Sequence, residues 1–198
     1  MINKTYRDNR QEFWKREFDN ALNYDAYLDN SPERYAEMWN RFEQQLPDLD
    51  DSQKAALKGH NRKLNILVSS GVWCGDCVRQ GPILKLIVDH MDSPVDLRVV
   101  ERGDSEPLQE ELRILGALRV PVVVFLSEDF FEIGRFGDRM LTTYRRKART
   151  ELGPACSSGV VAPPDDELQC EISEWVDIFE RMLLMARLSP PLREKYND

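Results

Sequence analysis

The sequence predicts an α/β fold with additional helices at both ends, and two observations carry that prediction. Between residues 62 and 138, short apolar runs alternate with segments of helical period, in the order strand, helix, strand, helix and hairpin. On both sides of this region, apolar residues recur at helical spacing. We therefore expect a single domain over residues 1–198, with an N-terminal helical extension (1–61), a core (62–138) and a C-terminal helical extension (139–198).

The N-terminal extension is predicted to hold three helices. Two apolar stripes recur every three or four positions: Trp14, Phe18, Ala21 and Leu22 in the first, and Tyr35, Met38, Trp39, Phe42 and Leu46 in the second. Ser31 can cap the second helix with its hydroxyl, and Pro32 suits its first position, where no N–H is needed. Asp51 and Ser52 open a third, shorter helix that ends near Gly59.

The core is predicted to contain four strands and two helices. Runs rich in branched apolar residues indicate strands at 64–69, 95–100, 122–126 and 131–136. One helix follows the first strand, and a second spans 107–115. The last two strands are expected to pair as a hairpin through a turn at 127–129.

The C-terminal extension returns to helical period. One long apolar stripe predicts a helix packed on the core: Leu168, Ile172, Trp175, Val176, Phe179, Met182 and Leu183. Before it, residues 153–164 are rich in Gly, Ser and Pro and indicate a mobile loop. The basic run at 145–147 is interpreted as a solvated helix face.

Composition excludes several classes of function. The chain has 27 Lys and Arg against 35 Asp and Glu, a net charge of −8, which argues against nucleic acid and gives no reason to expect an anionic membrane as partner. No apolar run approaches the roughly 20 residues that span a bilayer. The first eight residues lead into charged residues rather than the apolar stretch of a secretory signal. We therefore expect a soluble, cytoplasmic protein.

The segment Trp73-Cys74-Gly75-Asp76-Cys77 carries the chemistry. Cys74 falls between a predicted strand and a predicted helix, where unpaired N–H groups favour a thiolate. Cys77 follows one helical turn later, close enough to attack a mixed disulfide formed at Cys74. Cys74 is therefore predicted to be the nucleophile and Cys77 the resolving thiol, and no metal or organic cofactor is implied because the dithiol itself carries two electrons.

These residues resemble the thioredoxin superfamily, specifically bacterial-type thioredoxin-like proteins with a WCGDC active site. Trp73 precedes the first cysteine, as the family's tryptophan does. Pro82 follows Cys77 by five residues, like the proline that kinks the family's active-site helix, and Val120-Pro121 matches the family's cis-proline. The resemblance covers about residues 62–138 and implies a thioredoxin-like fold, a central mixed sheet with flanking helices.

The resemblance also implies a function. It points to a thiol–disulfide oxidoreductase that reduces protein disulfides and is recharged by a flavin-dependent thioredoxin reductase using NADPH. Val120 and Pro121 would shape the substrate groove. Trp73, Gly75 and Asp76 would lie around it, with the Trp73 ring as a docking surface.

The sequence departs from the family at two positions. Val68 stands where thioredoxins carry a buried aspartate that helps to move the proton of the resolving thiol, and Asp76 is the nearest replacement by sequence. Asp76 itself replaces the commonest proline. At about 7 Å, its charge opposes ionisation of Cys74 by about 0.6 kcal/mol in water and about 2.4 kcal/mol at a dielectric of 20. A helix terminus favours the thiolate by about 0.3–1 kcal/mol. We expect the two effects to cancel roughly. This predicts a thiolate less acidified than in strongly oxidising family members, hence a reductase rather than an oxidase, and a pKa of Cys74 that falls in Asp76→Pro.

The remaining candidate ligands do not predict a metal or haem site. A zinc site needs a second ligand pair, and Cys156, Cys170, His60 and His90 lack the spacing for one; Val78 stands where haem attachment needs histidine. Both histidines are interpreted as surface or helix-end residues. Cys156 and Cys170 bracket the predicted loop and can form a second disulfide, pass electrons to the dithiol or be unreactive.

Two other functions stay open at this point. The helical extensions are compatible with a binding or assembly protein that keeps the fold without catalysis. The dithiol, the loop and the second cysteine pair are compatible with a redox sensor.

Overall fold

The computed structural model describes residues 6–152 and 166–197, in which a mixed five-stranded sheet is covered by helices. This arrangement confirms the predicted thioredoxin-like α/β fold with extra terminal helices. The helices and strands of the described residues, in chain order, are α1 (Gln11–Asn20), β1 (Leu22–Asn23), α2 (Tyr24–Asp29), α3 (Glu33–Glu43), α4 (Asp51–Ala56), β2 (Leu64–Ser70), α5 (Gly75–Asp89), β3 (Val95–Glu101), α6 (Glu106–Glu111), β4 (Val122–Leu126), β5 (Glu132–Gly137), α7 (Leu141–Leu152), α8 (Glu167–Leu188) and α9 (Pro190–Tyr196).

The sheet has the strand order β1-β3-β2-β4-β5. β2 runs parallel to β3 and antiparallel to β4, and β4 pairs antiparallel with β5, as the predicted hairpin requires. The parallel register places Ser70 opposite Glu101. The carboxyl ends of β2 and β3 therefore meet at one edge, and the segment that holds the dithiol leaves β2 at that edge.

Side chains of the two central strands alternate between two apolar cores. Every residue of β2 and β4 is buried, which is why these strands are continuous apolar runs. Ile66, Val68, Val123 and Phe125 pack in the core formed with α2, α3, α5 and α8, whereas Leu67, Val122, Val124 and Leu126 pack in the core formed with α1 and α6. The dithiol helix α5 thus rests on the first core.

Helix α3 contacts the segment that leads from β2 to the dithiol. Its Trp39 is buried, and the indole N–H donates to the carbonyl of Val72 at 2.9 Å. Gly81 of α5 lies directly against this ring, since an added Cβ would come within 1.9 Å of it. The close approach of α5 to Trp39 therefore requires glycine at position 81.

The N-terminal region differs from the prediction in three details. Helix α1 ends at Asn20, so Leu22 lies in the short strand β1 and is exposed rather than packed on a helix face. Helix α2 was not predicted. The Ser31 hydroxyl donates to the carbonyl of Tyr27 at 2.7 Å, closing the end of α2, and does not cap α3 as expected. The local signal at Ser31 was ambiguous because the same residue ends one helix and precedes the next.

The second core helix is shorter than predicted. Helix α6 ends at Glu111, whereas the apolar pattern continued to Leu115. Ile114 instead pairs with Ala117 across a turn in which Leu115 and Gly116 have positive φ. This turn leads the chain into the segment before β4.

The predicted C-terminal helix is present as α8, and Trp175, Phe179 and Leu183 of its stripe are fully buried. Helix α9 was not predicted. Cys156 and the loop predicted at 153–164 lie outside the described residues. His90 ends α5 and His60 contacts the carbonyl of Ala56, so both histidines are helix-end residues as interpreted. No helix in the described part of the chain is long and apolar enough to cross a membrane.

Candidate active site

The two cysteines occupy different environments at the start of α5. Cys74 is the N-cap residue of the helix and is half-buried, whereas Cys77 lies in the first turn and is completely buried. The backbone N–H of Gly71 points at the Cys77 sulfur, 3.4 Å away. Both cysteines are free thiols. One sulfur is therefore partly exposed to solvent, and the other is shielded from it.

The electrostatics of the pair are correspondingly asymmetric. The pKa of Cys74 is lowered to about 6, chiefly because the Cys77 thiol hydrogen-bonds to it; the backbone N–H groups of Cys77 and Asp76 add to the effect, against burial and the Asp76 charge. Burial raises the pKa of Cys77, and the neighbouring Cys74 raises it further. At neutral pH, Cys74 is thus a thiolate beside a protonated Cys77.

The expectation that Asp76 would cancel the effect of the helix terminus is wrong. The comparison of the Asp76 charge with the helix terminus omitted the Cys77 thiol, which donates a hydrogen bond to the Cys74 sulfur. In addition, Arg139 from the segment after β5 lies 2.6 Å from the Asp76 carboxylate and compensates its charge. Asp76 is therefore engaged in an ion pair beside the dithiol.

Arg139 belongs to a larger polar cluster beside the dithiol. It donates to the buried carboxylate of Asp138 at 3.0 Å, and Tyr144 donates to the same carboxylate. Arg119 lies 3.5 Å from the same Asp138 carboxylate oxygen that accepts from Arg139. The sequence carried no signal for this cluster, because its members come from different turns and from α7.

The Val120-Pro121 peptide bond is cis, as the resemblance implied. The carbonyl of Val120 lies 3.8 Å from the Cys74 sulfur, so this turn faces the dithiol. Gly137 of β5 packs behind it, where a Cβ would come within 2.7 Å of the Pro121 carbonyl oxygen. The structure therefore brings together the segments 73–77 and 120–121 that the sequence singled out.

Trp73 is held in place by Glu101. Its ring is 45% exposed beside Cys74, and its indole N–H donates to Glu101 at 3.2 Å. The other carboxylate oxygen of Glu101 accepts from the backbone N–H of Val72 at 2.9 Å and from the Tyr27 hydroxyl at 2.7 Å. Arg102 covers the Trp73 ring at 4.9 Å.

Sequence reasoning missed Glu101, although one signal was available. Glu101 directly follows the predicted strand at 95–100, and a carboxylate at the carboxyl end of a strand often lies in a site. Gly75 is the first residue of α5, directly after Cys74, and a Cβ there would meet nothing within 4 Å. Its contact with substrate stays a prediction.

Of Cys156 and Cys170, only Cys170 lies within the described residues. Cys170 is a half-buried free thiol in the first turn of α8. Within residues 6–152 and 166–197, no group of three or more His, Cys, Asp or Glu side chains could hold a metal ion.

A family model described as thioredoxin matches residues 21–143, which is more than half of the chain. The fold is similar to that of a protein of unknown function from Pseudomonas aeruginosa, with a TM-score of 0.57 and 20% identity over 86% of this chain and 95% of that one. It is also similar to an HIV epitope-scaffold, with a TM-score of 0.61 and 21% identity over 88% of this chain and 98% of the other. No curated protein matches the sequence.

Proposed function

Since this chain belongs to the thioredoxin family, we propose that it is a thiol–disulfide oxidoreductase that reduces protein disulfides. One observation carries the proposal. A half-buried Cys74 with a pKa of about 6 stands next to a fully buried Cys77 whose pKa is raised. This asymmetry supports one sulfur as the attacking thiolate and the other as a reserve thiol.

The reaction uses each sulfur once. The Cys74 thiolate attacks one sulfur of the substrate disulfide, and the other sulfur leaves as a thiolate that takes a proton from water. Cys77 then loses its proton and attacks the Cys74 sulfur. The Cys74–Cys77 disulfide forms, the second substrate sulfur leaves, and two electrons have passed from the protein to the substrate.

The pKa of Cys74 supports the reducing direction. Attacking thiols of reducing thioredoxins have a pKa of about 7, whereas that of a strongly oxidising relative is about 3.5. A value of about 6 is closer to the reducing end. We propose a cytoplasmic protein with no bound cofactor, recharged by a flavin-dependent thioredoxin reductase that uses NADPH.

The surface around Cys74 is suited to an extended protein segment. The exposed Trp73 ring offers an apolar contact, and Gly75 leaves room beside the thiolate. The carbonyl of Val120 lies 3.8 Å from the Cys74 sulfur. We propose that the substrate backbone binds along this turn, with Asp76 at the edge of the groove.

Insulin reduction tests the proposal. With dithiothreitol as electron source, the wild type should accelerate precipitation of the insulin B chain, and Cys74→Ser should abolish the acceleration. Cys170→Ser is the matched control, because it removes a half-buried thiol that lies on α8 and outside the Cys74–Cys77 pair; it should retain full activity. If no reductant supports turnover by the wild type, the alternative of a binding or assembly protein replaces this proposal. Loss of activity in Cys170→Ser would favour the redox-sensor alternative.

A further inference from the structure

The buried resolving thiol has no evident proton acceptor. Cys77 must ionise before it can attack the mixed disulfide, and it is completely buried. Val68 is an apolar core residue where the family has its buried carboxylate, and Asp76 is paired with Arg139. Some other group has to receive the proton.

Ser70 is placed to receive it. It is the last residue of β2 and is 1% exposed. Its hydroxyl oxygen is buried and has no hydrogen-bond partner of good geometry among the described residues. A buried hydroxyl without a partner costs about 1–3 kcal/mol of folding free energy, so a serine at this position is better explained by a function than by stability.

The Ser70 hydroxyl acts on two other buried groups. Burial raises the pKa of both Cys77 and Tyr27, and the nearby Ser70 hydroxyl offsets part of the rise in each. Ser70 directly precedes Gly71, whose backbone N–H points at the Cys77 sulfur at 3.4 Å. The end of β2 therefore lies beside the buried thiol.

Tyr27 continues the line to the surface of the protein. Its ring is 3% exposed, and its hydroxyl donates to a Glu101 carboxylate oxygen at 2.7 Å. Glu101 is partly exposed at the end of β3, directly opposite Ser70 in the sheet register. The line therefore begins at a buried sulfur and ends at a carboxylate in contact with water.

We propose that Ser70, Tyr27 and Glu101 form a proton relay that deprotonates Cys77 during resolution of the mixed disulfide; the proposal rests on the function proposed above. The Cys77 proton passes to the Ser70 oxygen as the Ser70 proton passes to Tyr27 and the Tyr27 proton passes to Glu101. Both hydroxyls are regenerated, Cys77 becomes the attacking thiolate, and Glu101 releases the proton to water.

The relay acts at one stage of the cycle. In the reduced protein, the Cys74 thiolate holds the Cys77 proton and raises the pKa of Cys77 in addition to burial. Once Cys74 is bound in a mixed disulfide, its negative charge is gone, and only burial still opposes ionisation. Proton removal from Cys77 then becomes the step that the relay assists.

The experiment follows both steps with an aromatic disulfide, 5,5′-dithiobis(2-nitrobenzoate), in single turnover. One thionitrobenzoate is released when Cys74 attacks, and the second when Cys77 resolves the mixed disulfide. Tyr27→Phe and Ser70→Ala should leave the first release unchanged and slow the second about tenfold or more, since a positioned acid or base contributes about 10²–10⁴-fold. Glu101→Gln, which keeps a hydrogen-bonding group, should also slow the second release.

Tyr24→Phe is the matched control. Tyr24 is on the same helix as Tyr27, is equally buried, packs edge-on against the same Trp39 ring and has a hydroxyl without a partner among the described residues. It should resolve at the wild-type rate. A solvent deuterium isotope effect on the second release should be present in the wild type and altered in Ser70→Ala, which a purely structural role would not produce.

Two outcomes would overturn the relay. One is an unchanged second release in both Ser70→Ala and Tyr27→Phe; the other is an equal loss in the first and second releases, which indicates damage to the site. Failure of the proposed function itself looks different, because the wild type would then not reduce protein disulfides at all. Ser70→Ala keeps the test decisive even if Tyr27→Phe folds poorly, because it removes only a hydroxyl that has no firm partner.

Discussion

Arg139→Gln tests whether a remote cation sets the acidity of the nucleophile. In the native structure Arg139 compensates the charge of Asp76, which stands two residues after Cys74 on the dithiol helix. Glutamine keeps hydrogen-bonding capacity toward Asp76 and Asp138 but removes the positive charge. The Asp76 carboxylate then acts on Cys74 without compensation, so the pKa of Cys74 should rise.

The size of the rise follows from distance and dielectric. Helix geometry places the Asp76 carboxylate about 7 Å from the Cys74 sulfur. Arg139 lies 2.6 Å from that carboxylate, and we assign its guanidinium a separation of about 9 Å from the sulfur. The two side chains are 27% and 19% exposed, so a dielectric of about 20 applies, at which a unit charge at about 9 Å is worth about 1.8 kcal/mol. One pKa unit corresponds to about 1.4 kcal/mol, so the pKa should rise by about one unit. At pH 6 the thiolate fraction would fall from about half to about one tenth.

The assay is the rate of alkylation of Cys74 by iodoacetamide in Cys170→Ser background, followed by mass spectrometry across the pH range. The midpoint of the profile is the informative quantity, because the intrinsic nucleophilicity of a thiolate rises with its pKa and partly offsets the loss of rate. Arg139→Lys keeps the charge and should keep the midpoint. Asp76→Asn combined with Arg139→Gln removes both charges and should return the midpoint close to the wild-type value.

A midpoint in Arg139→Gln that is equal to or lower than that of the wild type would refute the reasoning. An equal rise in Arg139→Lys would also refute it, because the effect would then come from altered packing around Asp138 rather than from charge.

Three further predictions concern acidity and packing. Alkylation of wild-type Cys74 should fall as the pH drops through about 6. Because this pKa lies below the ordinary value of 9.0, the free energy of unfolding of the reduced protein should increase relative to that of Cys74→Ser as the pH rises from about 6 towards 9. A difference in urea unfolding that does not change with pH would contradict this. Gly81→Ala should lower the free energy of unfolding in urea by about 1–3 kcal/mol, since its Cβ would meet the Trp39 ring at 1.9 Å. An unchanged midpoint would show that α3 and α5 are free to separate. Glu174→Ala should cost about 1–2 kcal/mol in the same measurement, because the Glu174 carboxylate accepts from the first two N–H groups of α7; a loss below the error of the measurement would mean that water replaces it.

Local pattern was sufficient for most of the elements that form the core. The strands β2 and β4 are apolar on both faces, and the stripe of α8 recurs at helical spacing, so each element carries its own evidence. Predictions failed where two local signals competed. Ser31 ends α2 rather than beginning α3, and the apolar pattern beyond Glu111 belongs to a turn rather than to α6.

The acidity of Cys74 shows the limit of reasoning from adjacent residues. The helix terminus and Asp76 are both visible in the sequence, and weighing them alone predicted a cancellation. The dominant donor is the Cys77 thiol, and the Asp76 carboxylate forms an ion pair with Arg139, which is 63 positions away in the chain.

By itself, the sequence determined that a dithiol stands between a strand and a helix, with Trp73 before it and a proline turn elsewhere in the chain. Those features depend on residues close together in sequence, where period and spacing are physical constraints on the backbone. Only the tertiary structure decided what surrounds the dithiol. The parallel register of β2 and β3 sets Ser70 opposite Glu101, and the position of α2 brings the Tyr27 hydroxyl to the Glu101 carboxylate. No local pattern encodes such contacts, because their partners are distant in the chain and meet only after the sheet order and the helix packing are established.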